Sequence, residues 1–133
     1  GASEWFERGF VTYSDQSKVD LLGVSAATLA AAGAVSEAVA AQMADGALTH
    51  SRAQLALSVT GIAGPGGARP GKPVGTVCFG LVAIDAAPLT ETVVFAGDRP
   101  AIRGAAALHA LRRALEFLAR QPGLSDLGPT TNS

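Results

Sequence analysis

Two adjoining glycine-rich stretches in the middle of the chain have the residue types and spacing to handle a phosphorylated ligand. From Gly66 the sequence reads Gly-Gly-Ala-Arg-Pro-Gly-Lys, the G-x-x-x-x-G-K opening of a loop that cradles nucleoside triphosphates. Such a loop needs Ser or Thr after the lysine to reach Mg²⁺, and it must run into a helix whose N-terminus faces the phosphates. Here Lys72 is followed by Pro73, which has neither hydroxyl nor backbone N–H, and then by strand-like sequence from Val74 to Ile84. Both requirements fail, so the triphosphate site is rejected and Lys72 reads as a solvent-exposed lysine at a loop end. The earlier half, Thr60-Gly61-Ile62-Ala63-Gly64, directly follows the apolar run "QLALSVT". In open α/β sheets, ligands bind just beyond the carboxyl ends of strands. Thr60 offers a hydroxyl there, and Gly61 and Gly64 let backbone N–H groups approach a ligand closely. An ordinary strand-exit turn is the alternative reading of the same residues.

The elements that must position these residues follow from periodicity and punctuation. "GFVTY", Gly9 to Tyr13, alternates and is aromatic and β-branched, which predicts a short strand. Ser14 is placed to cap a helix over Asp15–Leu22 that Gly23 stops, Ser25 a second ending near Gly33, and Ser36 a third over Glu37–His50. Val39, Ala40, Met43 and Ala47 share one face of that third helix. The uninterrupted apolar strand ending at Thr60 suits a strand covered on both faces, as in a parallel sheet. Val74–Ile84 and Leu89–Gly97 are two strands spaced as an antiparallel hairpin. Pro100 then opens a long helix up to Arg120, with Ile102, Ala105, Leu108, Leu111, Leu115 and Leu118 predicted to form its buried side. The expectation is a three-layer α/β/α domain over residues 1–120 with a mobile tail over 121–133.

Bulk properties remove other classes of function. With 133 residues, 48% hydrophobic and 16% charged, the chain suits one globular domain, and a net charge of -1 without a basic run argues against nucleic acid as a partner. No apolar run reaches the roughly 18–20 residues of a membrane span, so no membrane partner is expected. Cys78 is the single cysteine and His50 and His109 stand alone, which supports neither a disulfide framework nor a metal site and fits a reducing cytoplasm.

Several segments together resemble one family. "FERGFVTYSDQSKVDLLGV", "GAVSEAVAAQMADGA", "LALSVTGIAGPGG…KPVGTV" and "GDRPAIRGAAALHALRRAL" stand in the order found in the CinA C-terminal (competence/damage-inducible protein A) family, over about residues 1–120. The resemblance implies a three-layer α/β/α sandwich with a mixed β-sheet. It also implies an amidohydrolase that converts nicotinamide mononucleotide to nicotinate mononucleotide and ammonia, with no metal and no cofactor, by a serine–lysine mechanism. On the matching motifs it assigns Lys18 and Tyr13 of "YSxxxK" and Thr60 of "TGIAGP" to catalysis. Gly61, Ile62, Ala63 and Gly64 would contact substrate, as would Arg99 and Arg103 of "GDRxxIR". The family's nucleophilic serine belongs to an "ESCTGG" motif that these 133 residues do not contain. The resemblance places that motif about one helix before Gly1, so the first strand and helix of the fold are expected to precede the sequence, and Ser3 is no substitute. A homodimer or higher homo-oligomer in the cytoplasm is expected. The alternative is a catalytically silent nucleotide-binding or oligomerisation module of the same fold.

Amide hydrolysis needs a nucleophile, a base to activate it and donors for the developing oxyanion. A lysine serves as base only as the neutral amine, and both the first turn of a helix and burial disfavour the ammonium. Tyr13 could orient Lys18, relay a proton, stack on a pyridine ring, or simply fill the core as a strand aromatic. Thr60 and the N–H groups of Gly61 to Gly64 could hold the oxyanion or the phosphate. Arg99 and Arg103 have the planar fork that pairs with phosphate, with a surface ion pair to Asp98 as the alternative for Arg99. Trp5 and Phe6 would close over the site or pack on the preceding helix, and would otherwise form an exposed apolar patch.

Overall fold

The computed structural model of the chain describes residues 1–121. Four helices begin where a short polar side chain can satisfy a free N–H. Ser14 accepts from Ser17 N–H to start α1 (Asp15–Leu22), and Ser25 from Thr28 N–H to start α2 (Ala26–Ala32). Ser36 accepts from Val39 N–H at α3 (Glu37–Thr49), and Asp98 from Ala101 N–H at α4 (Arg99–Ala119). Each cap contributes about 1 kcal/mol. Gly23 ends α1 in the left-handed region, φ 67°, where a side chain would be strained.

Three strands, β1 (Leu55–Gly61), β2 (Thr76–Ala83) and β3 (Leu89–Val94), form an antiparallel sheet in the order β1-β2-β3. Leu55 pairs with Ala83 and Gly61 with Val77, while Thr76 pairs with Val94. The two-residue period of β2 sends Val77 and Phe79 to a core cluster with Ile102, Ala106 and Ala110 of α4. Gly80 points the other way and abuts the Ala40 carbonyl of α3, beside the Ser58 hydroxyl that donates to that carbonyl at 2.6 Å. A second cluster of Leu22, Val24, Val39 and Met43 binds α1 and α3 together. The sheet thus lies between α3, with α1 and α2, and α4: a three-layer α/β/α arrangement.

Several expectations are corrected. Residues Gly9 to Tyr13 form no strand; Val11 and Tyr13 are about nine-tenths exposed and no described strand lies beside them to supply a ladder. The strand ending at the glycine turn is not covered on both faces as in a parallel sheet. β1 is an antiparallel edge strand whose Leu57 and Val59 stay more than a third exposed. The three described strands pair antiparallel with one another. On α4 the buried row is Ile102, Ala106 and Ala110, whereas Leu108, Leu111, Leu115 and Leu118 are exposed, Leu115 by 67%. Small residues face the sheet because α4 lies against Phe79, and the leucines fall on the opposite side of the 3.6-residue turn. The tail expected to be mobile lies, beyond Gln121, outside the described residues.

Both layers grip the outer strand β3 through carboxylates. Thr90 and Thr92 hydroxyls each donate at 2.7 Å to one oxygen of Glu37 on α3. On the other face Glu91 accepts from Arg113 at 2.8 Å and from His109 at 2.7 Å, both on α4. Hydrogen bonds from Thr92, then Thr90, hold the Glu37 carboxyl below the usual carboxylate range. A depressed folded-state pKa stabilises above the unfolded value and loses that contribution as pH falls through the folded value. Glu37→Gln is therefore expected to lower the thermal midpoint by a few degrees at pH 7, the difference shrinking as pH falls through the lowered folded value. Thermal melts of both proteins against pH would show it, and a difference constant with pH would contradict it.

Candidate active site

Lys18 is where the sequence places it, one turn into α1, and its surroundings are unusual. The helical period puts it on the same side as Leu22, so it is 5% exposed. Its chain doubles back over the capping turn, and Nζ donates to the Thr12 carbonyl at 2.7 Å and, longer, to the Tyr13 carbonyl at 3.5 Å. That turn is fixed locally, because Ser17 donates its N–H to Ser14 Oγ and its hydroxyl to the Ser14 carbonyl at 2.6 Å. Among the described residues no carboxylate pairs with Lys18. Buried lysines normally have such a partner. Tyr13 contacts Lys18 through its carbonyl; the phenol is exposed, which excludes the core-filling alternative.

The second group lies where β1 ends. Thr60 is buried, and its hydroxyl donates to the Ala34 carbonyl at 2.8 Å, between α2 and α3. A Cβ on Gly61 would stand 2.8 Å from Val77 and 3.1 Å from the Thr76 carbonyl, so glycine permits the close approach of β1 to β2 there. Ile62 N–H donates to the Thr76 carbonyl at 2.9 Å, and Gly75 N–H to the Ile62 carbonyl at 2.7 Å. Ala63 packs on the Val77–Phe79 cluster, and Gly64 takes a φ of 78° before a cis bond to Pro65. Arg99 Nη1 donates to the Gly64 carbonyl at 3.2 Å, which ties the turn to the start of α4. Asp98 is occupied as the cap of α4, so the Asp98–Arg99 ion pair is replaced by this bond. Arg103 follows one turn later, exposed and without a hydrogen-bond partner among the described residues.

No hydrogen bond or ion pair among the described residues joins the Lys18 group to the Thr60–Arg99 group. Lys72 is not solvent-exposed: it is half-buried, and Nζ donates to the Ala32 carbonyl at 2.7 Å. Its P-loop spacing masked this contact, and the readable signal was the tight Arg69-Pro70-Gly71-Lys72 turn. A groove of about 420 Å³ between the sheet and the end of α4, lined by Leu57, Leu81, Glu91, Arg113 and Phe117, contains none of the expected site residues. Among the described residues no three His, Cys, Asp or Glu side chains group closely enough to hold a metal ion, and no helix is long and apolar enough to cross a membrane.

Fold and site together define an α/β domain with a glycine turn at the end of its first strand and a buried amine at the start of its first helix. The family model described as the CinA C-terminal domain matches residues 1–118, and the chain belongs to that family. The nicotinamide-nucleotide amidohydrolase PncC of Enterobacter agglomerans is 53% identical over 119 residues, which cover 89% of this chain and 73% of that protein. A CinA-like protein of Mycolicibacterium gilvum is 51% identical over 118 residues, and there the match takes in 86% of this chain but only 28% of the longer relative. The crystal structure of the competence/damage inducible protein CihA from Agrobacterium tumefaciens superposes with a TM-score of 0.81 at 45% identity, covering 84% of this chain and 68% of that one.

Proposed function

We propose that this domain serves a cytoplasmic, metal-independent amidohydrolase that converts nicotinamide mononucleotide to nicotinate mononucleotide and ammonia. The observation that carries the reading is Lys18, buried at the start of a helix, its Nζ bonded to the Thr12 and Tyr13 carbonyls and, among the described residues, to no carboxylate. No carboxylate among the described residues competes for the amine, which leaves it for the role of general base. The nucleophile is the serine of an "ESCTGG" segment preceding Gly1. Lys18 removes the serine proton as Oγ attacks the carboxamide carbon. The same proton passes to the leaving nitrogen, so ammonia departs and an ester to the enzyme remains. Water, deprotonated by Lys18, then hydrolyses that ester, which frees the carboxylate and restores the serine. With Ile62 N–H given to the Thr76 carbonyl, the N–H groups of Ala63 and Gly64 in the turn are the oxyanion donors, and Arg99 and Arg103 take the phosphate.

Ammonia release from the mononucleotide by protein carrying the serine segment tests the reading, with nicotinamide riboside as the substrate lacking phosphate. No ammonia from either compound would overturn it; tight binding of the mononucleotide without release would favour the silent binding module. A charge-assisted hydrogen bond to phosphate contributes about 1.5–3 kcal/mol. Arg103→Ala is therefore expected to raise KM for the mononucleotide about tenfold or more while leaving that for the riboside unchanged. Equal effects on both substrates would remove Arg103 from the phosphate.

A further inference from the structure

Lys72 is the residue that the discarded triphosphate motif singled out and that the proposed chemistry leaves unused. The connection between β1 and β2 runs from Ile62 to Gly75. Its base is closed by the two backbone hydrogen bonds between Ile62, Thr76 and Gly75. Its far end is a miniature hairpin in which Arg69 N–H donates to the Lys72 carbonyl at 3.0 Å and Lys72 N–H to the Arg69 carbonyl at 2.8 Å. A Cβ added at Gly66 or Gly71 would meet nothing, so the loop lies open at these two positions, whereas Ala63 and Val74 nearer its base pack on the core. The Lys72 side chain leaves the loop and reaches the Ala32 carbonyl at the end of α2, 40 residues away. That carbonyl belongs to the last turn of the helix, where the helix itself supplies no donor and a lysine is electrostatically favoured. Two residues on, the Ala34 carbonyl accepts from Thr60. The short Ala32–Ala34 link therefore receives one bond from each end of the loop, and Arg99 holds Gly64 from the opposite side.

We infer that Lys72 is a positioning residue: its bond to Ala32 fixes the far arm of the β1–β2 loop and so holds the Thr60–Gly64 turn in the conformation that receives the mononucleotide. The inference rests on the function proposed above for that turn. Its structural half can be judged without ligand.

The test uses Lys72→Met, which keeps the apolar stem and removes the donor, and Lys72→Arg, which restores a donor. Amide hydrogen exchange of the ligand-free proteins is read first. Lys72→Met is expected to speed exchange across residues 62–75 at least tenfold with the α3 and β2 amides unchanged, and Lys72→Arg to return most of the protection. Mononucleotide binding is read second, with Kd raised about fivefold in Lys72→Met, the thermal midpoint within a few degrees of wild type, and binding partly rescued in Lys72→Arg. Loop exchange identical in Lys72→Met and wild type would overturn the inference whatever the ligand does. Faster loop exchange with an unaltered Kd would overturn it too, since the turn would then not depend on the strap. If wild type binds no mononucleotide while the exchange difference appears, the loop half stands and the substrate reading of the turn fails.

Discussion

Lys18→Met is expected to lower ammonia release about a thousandfold in protein carrying the serine segment, because general acid–base groups contribute roughly 10²–10⁴ in rate. Lys18→Arg is expected to be nearly as inactive, and it is the more telling variant. A guanidinium keeps a positive charge and donors for the Thr12 and Tyr13 carbonyls but does not give up its proton near neutral pH. A lysine needed only to brace the chain before α1 would be largely replaced by arginine; a lysine needed as a base would not. Single-turnover rates with saturating mononucleotide, alongside thermal midpoints, separate the two cases. Lys18→Arg turning over at even a tenth of the wild-type rate would remove the base assignment.

Gly80→Ala is expected to cost the domain much of its stability. The added Cβ would be driven into the Ala40 carbonyl on α3 and would stand 2.6 Å from Ser58 Oγ. Neither neighbour can yield cheaply. The Ala40 carbonyl belongs to a helix backbone, and Ser58 is held by its hydrogen bond to that same carbonyl. Overpacking of this kind costs about 3 kcal/mol, which for a domain of this size lowers the midpoint by on the order of 10 °C. Gly66→Ala is the matched control, since a Cβ there meets nothing and its backbone needs no left-handed conformation. Thermal melts of the two variants should differ by most of that amount, and equal midpoints would mean that α3 does not rest on Gly80.

Local chemistry was legible in the sequence wherever it depended on a few neighbouring residues. Ser14, Ser25 and Ser36 start the first three helices as read, because a cap is decided within four residues. The hairpin of β2 and β3 was legible for the same reason. What failed depended on distant partners. Gly9 to Tyr13 has the alternation of a strand, yet a strand exists only where another chain segment pairs with it. The leucines of α4 were expected inside because they recur at helical spacing. Of the expected row Ile102 is buried, and burial otherwise went to Ala106 and Ala110, whose small side chains let the helix approach Phe79. The positions of Lys18, Thr60 and the Gly61–Gly64 turn could be read from motif and strand end. Their bonds to Thr12, Ala34 and Arg99 could not, since each is set by how the layers pack.

The double grip on β3 has a consequence for how this molecule would come apart in acid. The strand lies at one edge of the described sheet, and beyond its ladder to β2 and the packing of Val93 on the α4 cluster, its polar ties to the helices run through Glu37 and Glu91. Both carboxyls are held below their ordinary range, Glu37 first by Thr92 and Glu91 first by Arg113, so the grip outlasts mild acidity and loosens as pH falls through those lowered values. The strand would peel away before β2, whose side chains are nearly all buried, and acid would unravel the sheet from one border inward.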